Sequence, residues 1–76
     1  MDDWKIRLQE EYAQLKERYE KLKAYNNKQE VALELDTATQ THRCYYANGL
    51  LRRQQSVMGE YLHVLELRAE LEGIAL

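Results

Sequence analysis

The stretch from Leu50 to Glu72 constrains the fold most strongly, because it is the longest segment whose apolar residues keep to one face of a helix. At about 100° per residue, these residues fall within about half of the helical cylinder. They are Leu50, Leu51, Val57, Met58, Tyr61, Leu62, Val64, Leu65, Ala69 and Leu71. Such an arc is wider than one neighbouring helix covers. Gln54, Arg68 and Glu72 lie inside it, in line with Tyr61, and are candidates for specificity or function.

A second helical pattern occupies the first third of the chain. Asp2 and Asp3 stand where an N-cap and a first-turn acid are favoured. Apolar residues then follow at intervals of three and four, as in a coiled-coil seam. They are Trp4, Leu8, Tyr12, Leu15, Tyr19 and Leu22. Asn26 and Asn27 are poor residues for a helix interior and tolerate a left-handed C-cap, so they predict the end of this helix.

These patterns predict helix one over about residues 3–25, a connector over about 26–47 and helix two over about 48–72, with its start somewhere between 38 and 48. Gly59 falls inside helix two, where a close helix crossing would explain it. Antiparallel packing through the connector predicts three contacts between the helices. The pairs are Tyr19 with Gln54, Tyr12 with Tyr61, and Trp4 with Arg68.

Composition favours a helical protein that associates. The 76 residues include no proline, 32% are charged, and Cys44 is the only cysteine. A single domain of this size, residues 1–76, buries a small core and has no disulfide framework, so association is the remaining route to stability. We therefore predict an all-α fold, an antiparallel helical hairpin that assembles into a homo-oligomeric bundle.

Charge and hydropathy exclude several functional classes. The net charge is -2, although no acidic residue occurs from Thr37 to Gly59. The acidic flanks argue against binding of a long nucleic acid. The longest uncharged run, Cys44 to Leu51, is far shorter than the ~20 residues of a membrane span. No signal peptide is evident after Met1. These features predict a soluble protein that has no membrane partner and stays in the cytoplasm.

No catalytic or cofactor-binding pattern is present in the sequence. His42 and His63 are far apart, and Cys44 near His42 forms only a weak metal or thiol-base pair. A phosphate-binding glycine loop is also lacking. The sequence therefore predicts a protein that is not an enzyme and that uses no metal or cofactor.

The acid-free tract offers the groups that bind nucleotides. Guanidinium groups bind phosphate, aromatic rings stack on bases, and amides read base edges. The predicted ligand-binding residues are Tyr45, Tyr46, Asn48, Arg52 and Arg53, with Gln54, Tyr61 and Arg68 in reserve should the site lie in the bundle. In the alternative interpretation, the tract is a solvated basic loop, and the polar residues of helix two fix the register of a helical assembly.

Two motifs resemble a known family. The pattern LLxxQxxVMxxYxxVLxxRxxxEGI runs from Leu50 to Ile74, and EEYxxLKxRYxKL runs from Glu10 to Leu22. Together they resemble a family of very short helical proteins of tailed bacteriophages, named after a crAss-like phage. The resemblance leaves the segment from Thr37 to Asn48 unmatched. It implies a phage accessory protein that acts in the host (bacterial) cytoplasm.

The resemblance, the lack of a catalytic set and the basic tract lead to one functional hypothesis. The chain is expected to be a phage anti-defence protein that sequesters a nucleotide immune signal, of the cyclic dinucleotide or cyclic ADP-ribose type, without cleaving it. Its size and helical character are similar to those of phage sponges for cyclic nucleotides. The alternative is a helical protein-binding inhibitor or structural adaptor that docks on a phage protein or on a host protein such as a bacterial defence protein.

Overall fold

Two long helices make up the fold. The computed structural model describes the backbone of residues 3–35 and 42–76 and the side chains of residues 3–32 and 49–76. Helix α1 spans Asp3–Leu35 and helix α2 spans His42–Glu72. They pack side by side in an antiparallel hairpin that measures 57 × 16 × 16 Å. The predicted all-α hairpin is confirmed.

Helix α1 is longer than predicted, whereas helix α2 begins inside the predicted interval. Helix α1 continues through Asn26 and Asn27 to Leu35, and α2 begins at His42, within residues 38–48. The predicted connector is therefore largely helical, and only residues 36–41 of it lie outside the described backbone. The prediction failed at Asn26 because the amide of that residue is buried and bonded to α2, which offsets its poor helix propensity.

Each helix contributes one regular row of inward-facing residues, a seam, to the interface between the helices. The inward positions recur at intervals of three and four residues, as they do in a coiled coil. On α1 they are Leu8, Tyr12, Leu15, Tyr19, Leu22 and Asn26, and on α2 they are Leu51, Gln55, Met58, Leu62, Leu65 and Ala69. Trp4, which was assigned to this seam, is 43% exposed at the start of α1. The core centres on Leu8, Leu65 and Ala69, at the end of the hairpin away from the turn.

The register of the hairpin differs from the predicted one. Tyr19 packs against Gly59 rather than Gln54, and the hydroxyl of Tyr12 donates a 2.6 Å hydrogen bond to Glu66 rather than contacting Tyr61. The pairing is thus displaced by five residues along α2. An apolar arc this wide does not identify the centre of the α2 seam. Leu62 and Leu65 are buried and Leu51 is half-buried, which places the centre away from the line of Gln54.

Helix α2 ends in a Schellman motif. Gly73 has a φ of 68°, the amide of Gly73 donates to the carbonyl of Glu70, and the amide of Ile74 donates to the carbonyl of Ala69 at 2.8 Å. Ile74 packs against the core cluster. The predicted end of helix two near residue 72 is confirmed. Glycine is favoured at position 73 because a residue that carries a side chain is strained at positive φ.

Candidate interhelical binding groove

A groove of about 780 Å³ runs between the two helices toward the turn. This volume lies within the usual range of small-molecule sites, ~300–1,000 Å³. Its walls are mostly polar, and both helices contribute to them. The lining residues are Tyr19, Asn26, Asn27, Glu30, Arg52, Gln55, Ser56, Gly59, Glu60, His63 and Val64.

Asn26 is the buried polar group of the groove. Its side chain is 2% exposed, and its Nδ2 donates to the carbonyl of Leu51 at 3.2 Å and to Oε1 of Gln55 at 2.9 Å. Its Oδ1 is buried and accepts no hydrogen bond. A buried acceptor left without a donor costs about 1–3 kcal/mol. Asn26 therefore holds a buried acceptor without a donor in a residue that belongs to the groove lining.

The Tyr19 ring lies against the backbone of α2 at Gly59. A Cβ atom at position 59 would lie 3.3 Å from Cε1 of Tyr19, which is closer than ordinary van der Waals contact. Glycine at this position therefore leaves room for the Tyr19 ring, whose side-chain atoms are the nearest ones to position 59. The approach places an aromatic ring and a hydroxyl group one heptad away from Asn26, on the same seam of α1.

The groove contains an ion pair between Arg52 and Glu30. Arg52 Nη2 lies 2.8 Å from Glu30 Oε1, and both side chains are about half exposed. Glu60 adds a second carboxylate to the lining, and His63 is an exposed imidazole. A phosphate group that binds the guanidinium group of Arg52 therefore competes with Glu30.

Among the predicted ligand-binding residues whose side chains are described, the structure brings only Arg52 into the groove. Arg52 lines it, whereas the exposed Arg53, which follows it in α2 and points about 100° away, does not. Gln54, Tyr61 and Arg68 are exposed on another part of α2 and do not line the groove. The two predicted arginines therefore lie on different faces of α2. Gln54, Tyr61 and Arg68 lie on a face of α2 that does not line the groove.

Three further predicted residues lie where only the backbone is described. Tyr45, Tyr46 and Asn48 belong to α2, so their backbone is helical and not a loop, and their side chains lie outside the described residues. The hydroxyl of Tyr61 donates to a carboxylate oxygen of Glu11 across the helices. Tyr61 thus contributes to the packing of the hairpin.

Sequence reasoning missed Asn26 and Tyr19 as groove residues. Tyr12, Tyr19 and Asn26 follow one another at seven-residue intervals, so the heptad itself was the signal. Extending the heptad one repeat past Tyr19 would have placed Asn26 inside the seam. Within residues 3–32 and 49–76, no group of three His, Cys, Asp or Glu side chains is arranged to hold a metal ion. Neither described helix is long and apolar enough to cross a membrane.

The sequence profile of the Sequestin family matches residues 2–71. The chain belongs to the Sequestin family. The match includes the segment between the two motifs, so the Sequestin pattern extends through the turn as well as both helices. Comparisons with curated proteins and with solved structures give no match.

Proposed function

We propose that this Sequestin sequesters a small nucleotide-derived signal, which it holds without cleavage in the groove between α1 and α2. The name of the family indicates sequestration. The observation that carries the proposal is Asn26, a residue of the groove lining whose buried Oδ1 has no donor. Nucleobases present N–H groups at their edges, and amide side chains are common partners for these groups.

The other groove residues suit the remaining parts of a nucleotide. The Tyr19 ring offers a face for base stacking, and Arg52 offers a guanidinium group for a phosphate that competes with Glu30. Sequestration requires slow dissociation, and charge-assisted hydrogen bonds of this kind contribute about 1.5–3 kcal/mol each when water is excluded.

The biological role that we propose is phage anti-defence in the bacterial cytoplasm. A protein that binds an immune signal in stoichiometric amounts lowers the free concentration of that signal and needs no catalytic group. Cyclic dinucleotides and cyclic ADP-ribose isomers combine base edges with phosphates, as the groove requires. They are the ligand classes to test first.

Calorimetric titration of these ligands into the full chain tests the proposal. We expect sub-micromolar binding to at least one of them. Arg52→Gln should weaken it by about tenfold, the loss of one charge-assisted contact, while the neighbouring Arg53→Gln is the matched control and should leave it unchanged. If no ligand of either class binds below micromolar concentration, or if the two arginine variants behave alike, the proposed site is wrong.

Glu30→Gln should change the affinity for the ligand in the opposite direction to Arg52→Gln. Removing the carboxylate frees Arg52 and removes a like charge from the approaching phosphate. Because an exposed ion pair contributes at most about 1 kcal/mol, we expect affinity for an anionic ligand to rise by up to about fivefold. A fall in affinity would show that Glu30 contacts the ligand directly.

A further inference from the structure

Helix α2 carries a second heptad seam whose apolar side chains α1 leaves exposed, although the Tyr61 hydroxyl in this seam is bonded to Glu11 of α1. Its apolar positions are Leu50, Val57, Val64 and Leu71, each seven residues from the next, and their side chains are 67%, 57%, 51% and 82% exposed. Between them come Gln54, Tyr61 and Arg68, which are also exposed. The alternation of four and three residues is that of a coiled-coil seam.

The two seams of α2 lie one residue apart in sequence and therefore about 100° apart around the helix. A helix in a four-helix bundle contacts two neighbours at approximately this angle. One seam of α2 is occupied by α1 of the same chain. The other has the periodicity needed to receive a second helix.

The uncovered seam is approximately symmetric about Tyr61, with an apolar residue at each end and one on either side of Tyr61. When a second α2 is placed antiparallel with Tyr61 opposite Tyr61, Val57 faces Val64 and Leu50 faces Leu71 of the other copy. Gln54 then faces Arg68, so that an amide oxygen can accept from a guanidinium group. In a parallel pairing, Arg68 would face Arg68, and like charges across an interface are unfavourable. Such self-complementarity is the property of an isologous interface between identical chains.

The exposed area of the chain also fits a dimer. The accessible surface is 6259 Å². A compact monomer of this mass would expose about 4,900 Å². The excess is larger than the ~800 Å² that each partner buries in an interface of standard size.

We propose that two copies of this chain pair through the seam from Leu50 to Leu71, with their α2 helices antiparallel, to form a four-helix bundle. The proposal does not rest on ligand binding. Val64 also lines the interhelical groove, so the second copy borders the groove of the first.

Sedimentation analysis of the full chain tests self-association directly. At micromolar concentration we expect a species of twice the chain mass of 9.1 kDa. Gln54→Arg opposes Arg68 of the other copy and should raise the dissociation constant by at least about tenfold. Adding Arg68→Glu to this variant restores opposite charges in an antiparallel pair, and the dissociation constant should return toward that of the parent chain. Leu67→Ala, on an exposed position outside the seam, is the control and should not change the mass.

The double variant separates the two orientations, because a parallel pair would then oppose arginine with arginine and glutamate with glutamate. Failure of the double variant to recover overturns the antiparallel arrangement, and a stable, helical monomer for the parent chain overturns the interface itself. Circular dichroism verifies that each variant remains folded. As a second measurement, chains carrying Gln54→Cys and Arg68→Cys, each with Cys44→Ser, should form mixed disulfides on mixing. Disulfides mainly between two Gln54→Cys chains would contradict the proposal.

Discussion

At Asn26, one side chain serves two requirements. Its Nδ2 joins α1 to the carbonyl of Leu51 and to Gln55, and a buried amide in a helical seam favours the register in which its partners are in reach. Its Oδ1 is buried and has no donor, and Asn26 is one of the residues that line the groove. The first property belongs to the fold and the second to the proposed binding site.

Asn26→Leu should separate these two properties. Leucine suits a seam that already contains Leu15 and Leu22, and replacing a buried, partly unsatisfied amide with an apolar group is often neutral or stabilising. We therefore expect an unchanged or higher midpoint of chemical unfolding, together with a loss of about tenfold or more in ligand affinity. A variant with lower stability and intact binding would assign Asn26 a purely structural role.

Tyr12 links stability to pH on the alkaline side. The hydrogen bond to Glu66 raises the pKa of Tyr12 above its ordinary value of 10.0, and desolvation and the charge of Glu66 raise it further. The folded state thus favours the neutral phenol. Its contribution to stability is complete below the unfolded pKa, near 10, and is lost as the pH rises through the higher folded pKa.

Tyr12→Phe should therefore destabilise the hairpin at neutral pH and flatten the alkaline part of its stability profile. The measurement is urea unfolding between pH 8 and 11, a range set about the ordinary tyrosine pKa. Glu66→Gln serves as the control, since it removes the carboxylate and should bring the pKa of Tyr12 back toward its ordinary value. An identical pH dependence in the parent and both variants would contradict the linkage.

At the scale of the helices, periodicity predicted more than termination signals did. The heptads starting at Leu8 and the apolar run from Leu50 gave two helices, their antiparallel packing and the C-terminal end of α2. The C-terminal end of α1 was missed, because Asn26 was judged by local propensity, whereas its hydrogen bonds to the other helix decide the outcome. Tertiary contacts of this kind cannot be read before the register is known.

The groove was harder to predict than the fold for a related reason. Arg52 was identified from its chemistry, but Tyr19 and Asn26 belong to a seam whose positions all look like core. Their special roles arise from what lies opposite: Gly59 for the ring and Gln55 for the amide. A five-residue error in the register was enough to hide both pairings.

Replacement by alanine should change the stability of the chain differently at Gly49, Gly59 and Gly73. Gly49→Ala meets no atom within 4 Å and should stabilise the helix by ~1 kcal/mol. At Gly59 the same gain is opposed by the 3.3 Å contact with Tyr19, so we expect a smaller or negative effect. Gly73→Ala imposes a positive φ on alanine and should destabilise by about 1 kcal/mol.

Thermal and urea unfolding of the three variants measures this order. In a Tyr19→Ala background, the penalty at Gly59 should disappear, so Gly59→Ala should then approach the gain at Gly49. If Gly59→Ala is equally favourable with and without the Tyr19 ring, the close approach does not limit that position.

The whole molecule is long and has a small hydrophobic core. The hairpin is 57 Å long, yet within its described residues only Leu8, Leu62, Leu65 and Ala69 are buried apolar side chains. A core this small gives little stability to an isolated chain. Helix α2 keeps a long apolar seam in water, so covering that seam by a second copy would supply burial that the monomer lacks.

Stability should therefore depend on protein concentration. If association and folding are coupled, the thermal midpoint rises as the concentration is increased from low to high micromolar, since the dimer is favoured by mass action. Leu65 is fully buried and Leu67 is 56% exposed, so they form a matched pair on one helix. Leu65→Ala should cost about 2–5 kcal/mol and abolish the dimer as well as the fold, whereas Leu67→Ala should change stability by less than about 0.5 kcal/mol. A midpoint independent of concentration, with a folded Leu65→Ala monomer, would show that the hairpin is stable by itself.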